Sequence, residues 1–161
     1  RFPLVVLPGN VLPVDEDLGP TVGRAEPQMA PFAGRRHGDL LDRPLGTAPA
    51  GIIAYTEDGF MSAQLMSRDR PAFDEADPLG GTSEQTVAAA RGYLAYAGPF
   101  ELDEASGTFY HHVSVSLLPN WIGQPQIRHG HVGDGTLTLA ADIDHAGQSA
   151  RATLVWRRPT R

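Results

Sequence analysis

The chain has no cysteine. Disulfides, thiolate metal ligands and a cysteine nucleophile are therefore excluded, while the compartment is not. No apolar run approaches the ~20 residues that a membrane-spanning helix needs. There is no basic excess either: 19 acidic residues against 13 Lys and Arg give a formal charge of −6. Nucleic acid and anionic membrane surfaces need a basic footprint, so neither is expected as a partner. The pairs Arg35-Arg36 and Arg157-Arg158 are too small to reverse this and read as solvated surface. A Gly-x-Ser-x-Gly elbow, a phosphate-binding loop and a dinucleotide fingerprint are also missing, which argues against the commonest hydrolase and nucleotide-dependent classes.

What is present fits one domain of many short strands. The 161 residues are enough for a sizeable core, 41% are hydrophobic, and 18 Gly with 14 Pro supply turns. The clearest stretch is 51–66, GIIAYTEDGFMSAQLM. It reads as a strand, an Asp58-Gly59 turn and a returning strand. Phe60, Ser62, Gln64 and Met66 share one face of the return, and Met61, Ala63 and Leu65 share the other, which is expected to face inward. Such a hairpin is not stable alone and needs more sheet beside it.

The later sequence supplies it. Residues 67–81 form a Pro- and Gly-rich loop, and 82–96 is expected to be the one helix. Thr82 and Gln85 have capping-box spacing, Val87, Ala90, Arg91 and Leu94 follow the helical repeat, and Tyr93 and Tyr96 fall on a neighbouring stripe. A second hairpin covers 100–117. On its return strand, Phe109, His111, Val113, Val115 and Leu117 alternate with Tyr110, His112, Ser114 and Ser116. Which of the two sets faces inward is open. Trp121, after Pro119-Asn120, is expected to close one rim. A third hairpin spans 126–140 with Leu137 and Leu139 inward and Thr136 and Thr138 outward, and 150–157 is the last strand, with Ala152, Leu154 and Trp156 on one face. These give seven strands, and the FPLVVL run at 2–7 is a candidate edge strand. The expected fold is mostly β: a single antiparallel up-and-down barrel of about eight strands with one short helix. Residues 1–42 are read as an extended segment packing on or completing the barrel, and 43–161 as the barrel domain.

Each residue type that could carry chemistry also has a plainer reading. Met61 and Met66 fill core unless they wall a ligand. Tyr93 and Tyr96 are structural unless they line a pocket. Tyr110 and His112, with the two serines, are a solvent face unless they stripe a cavity. His129 and His131 share a strand face and could bind metal with His111 or His112, but no glutamate follows at short distance and Asp134 sits in a turn. No metal and no cofactor are expected. The candidates for acid–base work are His111, His112 and Tyr110, because histidine titrates near neutrality and an interior can shift it.

The words IIAYTEDGFMSAQLM, GYLAYAG, HHV, LLPNWIGQ and ATLVWRR, in that order over 43–158, resemble the bacterial and fungal lipocalin-like domain family. The resemblance implies a closed barrel with an apolar interior that binds a small hydrophobic molecule, in settings often tied to secondary metabolism. It does not imply one activity, since similar barrels serve as carriers, isomerases or cyclases. Two departures stand out. The family's opening Gly-Thr-Trp strand has no match in 1–42, so FPLVVL or the stretch around Met29 to Phe32 must replace it, or the barrel is incomplete. Histidines at both 129 and 131 are also unusual for the family. The expected function is binding of a small hydrophobic molecule by Tyr55, Met61, Leu65, Tyr93, Tyr96, His111, His112, Val113, Trp121 and Trp156, with Val115 beside them. The alternative is a cofactor-free isomerase or cyclase using a pocket histidine as acid or base. The expected location is the cytoplasm; a removed signal peptide and a homodimer are left open.

Overall fold

The computed structural model describes residues 28–29, 45–46, 49–74, 76–77, 80–133, 135–145 and 148–157. Strands run β1 (Gln28–Met29), β2 (Ala50–Tyr55), β3 (Phe60–Met66), β4 (Tyr93–Asp103), β5 (Thr108–His112), β6 (Val115–Ser116), β7 (Pro125–Gly133), β8 (Thr136–His145) and β9 (Gln148–Arg157). One α-helix, α1 (Ser83–Arg91), and a 3-10 turn at Pro119–Trp121 complete the described elements. Eight strands follow the antiparallel path β1-β9-β8-β7-β5-β4-β3-β2, and β6 also pairs with β4. This is a nearly closed barrel. No ladder joins β1 to β2 among the described residues, but Trp156 of β9 reaches across: a Cβ on Gly51 of β2 would stand 3.2 Å from its Cζ3.

The alternation in β3 produces the wall expected of it. Met61, Ala63 and Leu65 are buried, while Phe60, Gln64 and Met66 are exposed. The hairpin turn closes through Thr56, whose amide donates to the Phe60 carbonyl at 2.8 Å, and Gly59 takes φ +84°, a conformation that costs glycine little. Leu137 and Leu139 of β8 are buried and Thr136 and Thr138 are not, also as read. With Ile53, Tyr96, Phe109, Val113 and Trp156 these residues form one continuous core, each large apolar side chain contributing about 1.5–3 kcal/mol by leaving water. The eighth strand is the Met29 stretch: Gln28 pairs with Val155 and Met29 with Leu154. FPLVVL lies outside the described residues. Among the described residues, no helix is long and apolar enough to cross a membrane.

Two expectations fail. The helix ends at Arg91, not at residue 96. Its start is as read, with the Thr82–Gln85 capping box formed in both directions. Gly92 then caps it, its N–H bonding to the Ala88 carbonyl, and the chain turns directly into β4. The alternation that begins at Tyr93 overrides the helical repeat because each residue gains a strand partner: Leu94 pairs with Leu65 and Tyr96 with Ala63. The helix itself buries no residue, so it lies outside the barrel.

The strand expected over 108–117 is also broken. Between β4 and β5 each pair of facing positions sums to 211, as for Phe100 with His111; between β4 and β6 it sums to 212, as for Tyr96 with Ser116. One extra residue has been inserted, which is a β-bulge, and every side chain beyond it changes face. Val113 is therefore buried while Val115 is 61% exposed and Leu117 also faces out. The bulge sits opposite Gly98. A Cβ there would collide with the His112 carbonyl oxygen and stand 2.8 Å from the Ser114 nitrogen, so only glycine lets the strands close.

Candidate ligand-binding site

The register places a polar set inside the barrel. Tyr55 ends β2, Tyr96 lies in the middle of β4, and His111 lies on β5 before the bulge. All three face inward. The Tyr55 hydroxyl lies 2.9 Å from His111 Nε2, and the Tyr96 hydroxyl 3.1 Å from Nδ1. The imidazole is 0% exposed, with the Tyr55, Tyr96 and Phe109 rings at centroid distances of 5.7, 5.8 and 6.3 Å. Phe109 is held against β7, where a Cβ on Gly130 would collide with its ring.

Burial fixes the protonation states. It pushes the His111 pKa down to about 3, with the charges of Arg128 and His112 adding to the shift, so the imidazole is neutral at neutral pH. Burial, with the neighbouring Tyr96, holds the Tyr55 phenol well above its usual range against a smaller opposing pull from Arg128. Tyr96 is raised by burial and drawn partly back by the neighbouring Arg128 guanidinium.

The hydrogens can then be counted. A neutral imidazole donates from one nitrogen and accepts at the other. One phenol therefore donates to His111 and the other accepts, keeping its own O–H. The Arg128 guanidinium lies on the Tyr96 side of the site, and its positive charge favours a Tyr96 oxygen whose hydrogen points to Nδ1, so we assign Tyr96 as donor to Nδ1 and the Nε2 hydrogen to the Tyr55 oxygen. The unspent O–H then belongs to Tyr55.

Arg128 was not singled out by the sequence reading. It alternates inward on β7 with Gln126, Gly130 and Val132, while Ile127, His129 and His131 face out and are exposed. Its Cζ lies 5.9 Å from the Tyr96 ring centroid and 5.8 Å from that of Trp121, and Nη1 donates to the Ile127 carbonyl at 2.8 Å. No ion pair of Arg128 with a carboxylate occurs among the described residues. The two-residue period of IRHGHV was the available signal: it sets Arg128, just before His129, on the face opposite to His129 and His131.

The other candidates divide by face. Trp121 is half-buried and meets Tyr96 edge-on, with ring centroids 5.3 Å apart, at the Arg128 end of the site. Met61, Leu65, Val113 and Trp156 are buried in the core. Tyr110 and His112 point away from the interior. His112 is 43% exposed with Nε2 3.2 Å from Glu101 Oε1, within ion-pair range but not aligned as a hydrogen bond. Tyr93 is on the outer face too, where its hydroxyl donates to Gln64 Oε1 at 2.6 Å and Arg70 stacks over its ring.

A nearly closed antiparallel barrel with one external helix and this interior is lipocalin-like, and the chain belongs to the lipocalin-like domain family, whose model matches residues 33–159. Over 106 residues it is 35% identical to the 4'-hydroxy-3'-methoxypropiophenone carrier protein of Aspergillus oryzae, an alignment taking in 61% of this chain and 96% of that protein. No solved structure matches the chain significantly.

Proposed function

We propose that this protein is a carrier that holds a small, largely hydrophobic aromatic molecule inside the barrel during secondary metabolism. The observation that carries the reading is the buried Tyr55–His111–Tyr96 set beside the inward-facing Arg128. A barrel serving only as a packed scaffold gains nothing from a half-buried cation with no carboxylate partner among the described residues, or from a spare phenolic hydrogen inside it, since imperfectly paired buried polar groups cost stability. A ligand with polar oxygens on an apolar body would use both. The relative that carries an aromatic ketone supports the same class. Tyr55, Met61, Leu65, Tyr96, His111, Val113, Trp121 and Trp156 are the residues proposed to enclose the ligand, with Arg128 added; Tyr93, Tyr110 and His112 are not among them.

Acid–base catalysis by the pocket histidine draws no support from this geometry. Both nitrogens of His111 are engaged, and a pKa of about 3 makes it a feeble base at neutral pH. Titration calorimetry with 4'-hydroxy-3'-methoxypropiophenone, followed by chromatography of the recovered compound, tests the reading. Saturable binding of one equivalent, with the compound recovered unchanged, is expected. Absence of binding, or steady conversion to product, would reject it.

A further inference from the structure

Every Asp and Glu whose side-chain burial is described is exposed, so the described interior holds no carboxylate acceptor. What it holds in excess is hydrogen-bond donors. The Tyr–His–Tyr count leaves one phenolic O–H, Arg128 carries further N–H groups, and a third donor stands apart from both. Trp156 is 1% exposed, and its indole Nε1 is buried without a hydrogen-bond partner among the described residues. Native interiors rarely leave an indole N–H unpaired.

The position of this donor is informative. The Cζ3 edge of the indole is packed against Gly51, which allows the approach by having no Cβ. Nε1 lies on the opposite, pyrrole edge of the ring and so faces away from that wall. Gly51 and Tyr55 share the inner face of β2, four residues and about 13 Å apart. The Trp156 indole edge and the Tyr55 backbone therefore stand at different levels of the interior.

We infer that the Trp156 indole N–H is a ligand-binding donor, and that the cargo is an elongated aromatic molecule with an acceptor oxygen at each end, one for Trp156 and one for the Tyr55–Arg128 side. The inference deepens the carrier reading and rests on it. It excludes amines and other donor-only cargo, which would leave the protein's donors unpaired and place a cation beside Arg128.

The test uses 15N-labelled protein and three probes: 4'-hydroxy-3'-methoxypropiophenone, its analogue with the carbonyl reduced to CH2, and its analogue lacking the 4'-hydroxyl. The chain has two tryptophans, so two indole N–H signals are expected, and Trp121→Phe identifies them. Saturation with the parent ketone should move the Trp156 signal downfield, as a new acceptor does. Trp156→Phe should weaken the ketone about tenfold, the effect of one hydrogen bond. One analogue, the one missing the oxygen that meets Trp156, should bind the parent protein and Trp156→Phe alike. An unmoved Trp156 signal in saturated protein overturns the inference while leaving the carrier reading intact. So does an unchanged ketone affinity in Trp156→Phe. If Trp156→Phe does not fold, the indole signal of the parent protein decides alone. Failure of all three probes to bind overturns the carrier reading, and this inference with it.

Discussion

The Tyr55 hydroxyl meets His111 Nε2 at 2.9 Å although the two residues are 56 positions apart and their strands do not pair. Strands β3 and β4 lie between β2 and β5 in the sheet. The bond therefore crosses the barrel interior and ties opposite walls together. Replacing either phenol leaves a buried imidazole nitrogen unsatisfied. Tyr55→Phe and Tyr96→Phe should each lower stability by about 1–3 kcal/mol, read from chemical denaturation midpoints. A loss under about 0.5 kcal/mol in both would show that the network is not a structural tie.

The same burial predicts a dependence on pH. The folded His111 pKa is depressed from 6.5 to about 3, so between these values the unfolded chain binds the extra proton. Stability from this group is complete above about pH 6.5 and is lost as pH falls toward 3, by up to about 1.4 kcal/mol per pH unit. The difference in stability between the parent protein and His111→Gln should shrink along that slope from pH 7 to pH 4. A constant difference would mean that His111 titrates normally.

Gly98 offers a purely steric prediction. A Cβ there collides with backbone at the bulge, not with a side chain that could move aside. Gly98→Ala should cost roughly 3 kcal/mol or more, at the upper end for a single substitution. At Gly59 nothing lies within 4 Å of an added Cβ, but φ is +84°. Gly59→Ala should therefore cost only about 1–2 kcal/mol. Equal costs would contradict the bulge assignment.

These positions also show what could be read from sequence. The β3 wall was legible because Met61, Ala63 and Leu65 alternate cleanly with polar or exposed neighbours. The start of α1 was legible because capping is local chemistry. The end of α1 was not, because Leu94 satisfies both a helical and a strand period and only its pairing with Leu65 decides between them. The faces beyond Val113 were lost for a related reason: a one-residue bulge leaves no mark in TFYHHVSVSL itself, and the residue that makes room for it, Gly98, lies on another strand. His111 and Tyr96 were both named as candidates, but the hydrogen bond between them requires Tyr96 to be on a strand.

Arg128 separates site from scaffold. Arg128→Leu removes the guanidinium beside Tyr96 and Trp121 while keeping an apolar body on the inner face. Affinity for 4'-hydroxy-3'-methoxypropiophenone should fall about tenfold or more, whereas the outer-face variants Tyr93→Phe, Tyr110→Phe and His112→Gln should bind within about twofold of the parent protein. Fluorescence titration of the two tryptophans checks both halves. Loss of affinity on the outer face with none at Arg128 would place the site elsewhere on the protein.

The most direct measurement is a calorimetric titration of that ketone into the parent protein and into Tyr55→Phe/Arg128→Leu, each first shown to be folded by circular dichroism. The account predicts one saturable site in the parent protein and binding at least about tenfold weaker in the double variant. Equal binding in the two proteins, or no binding in the parent protein, would contradict it.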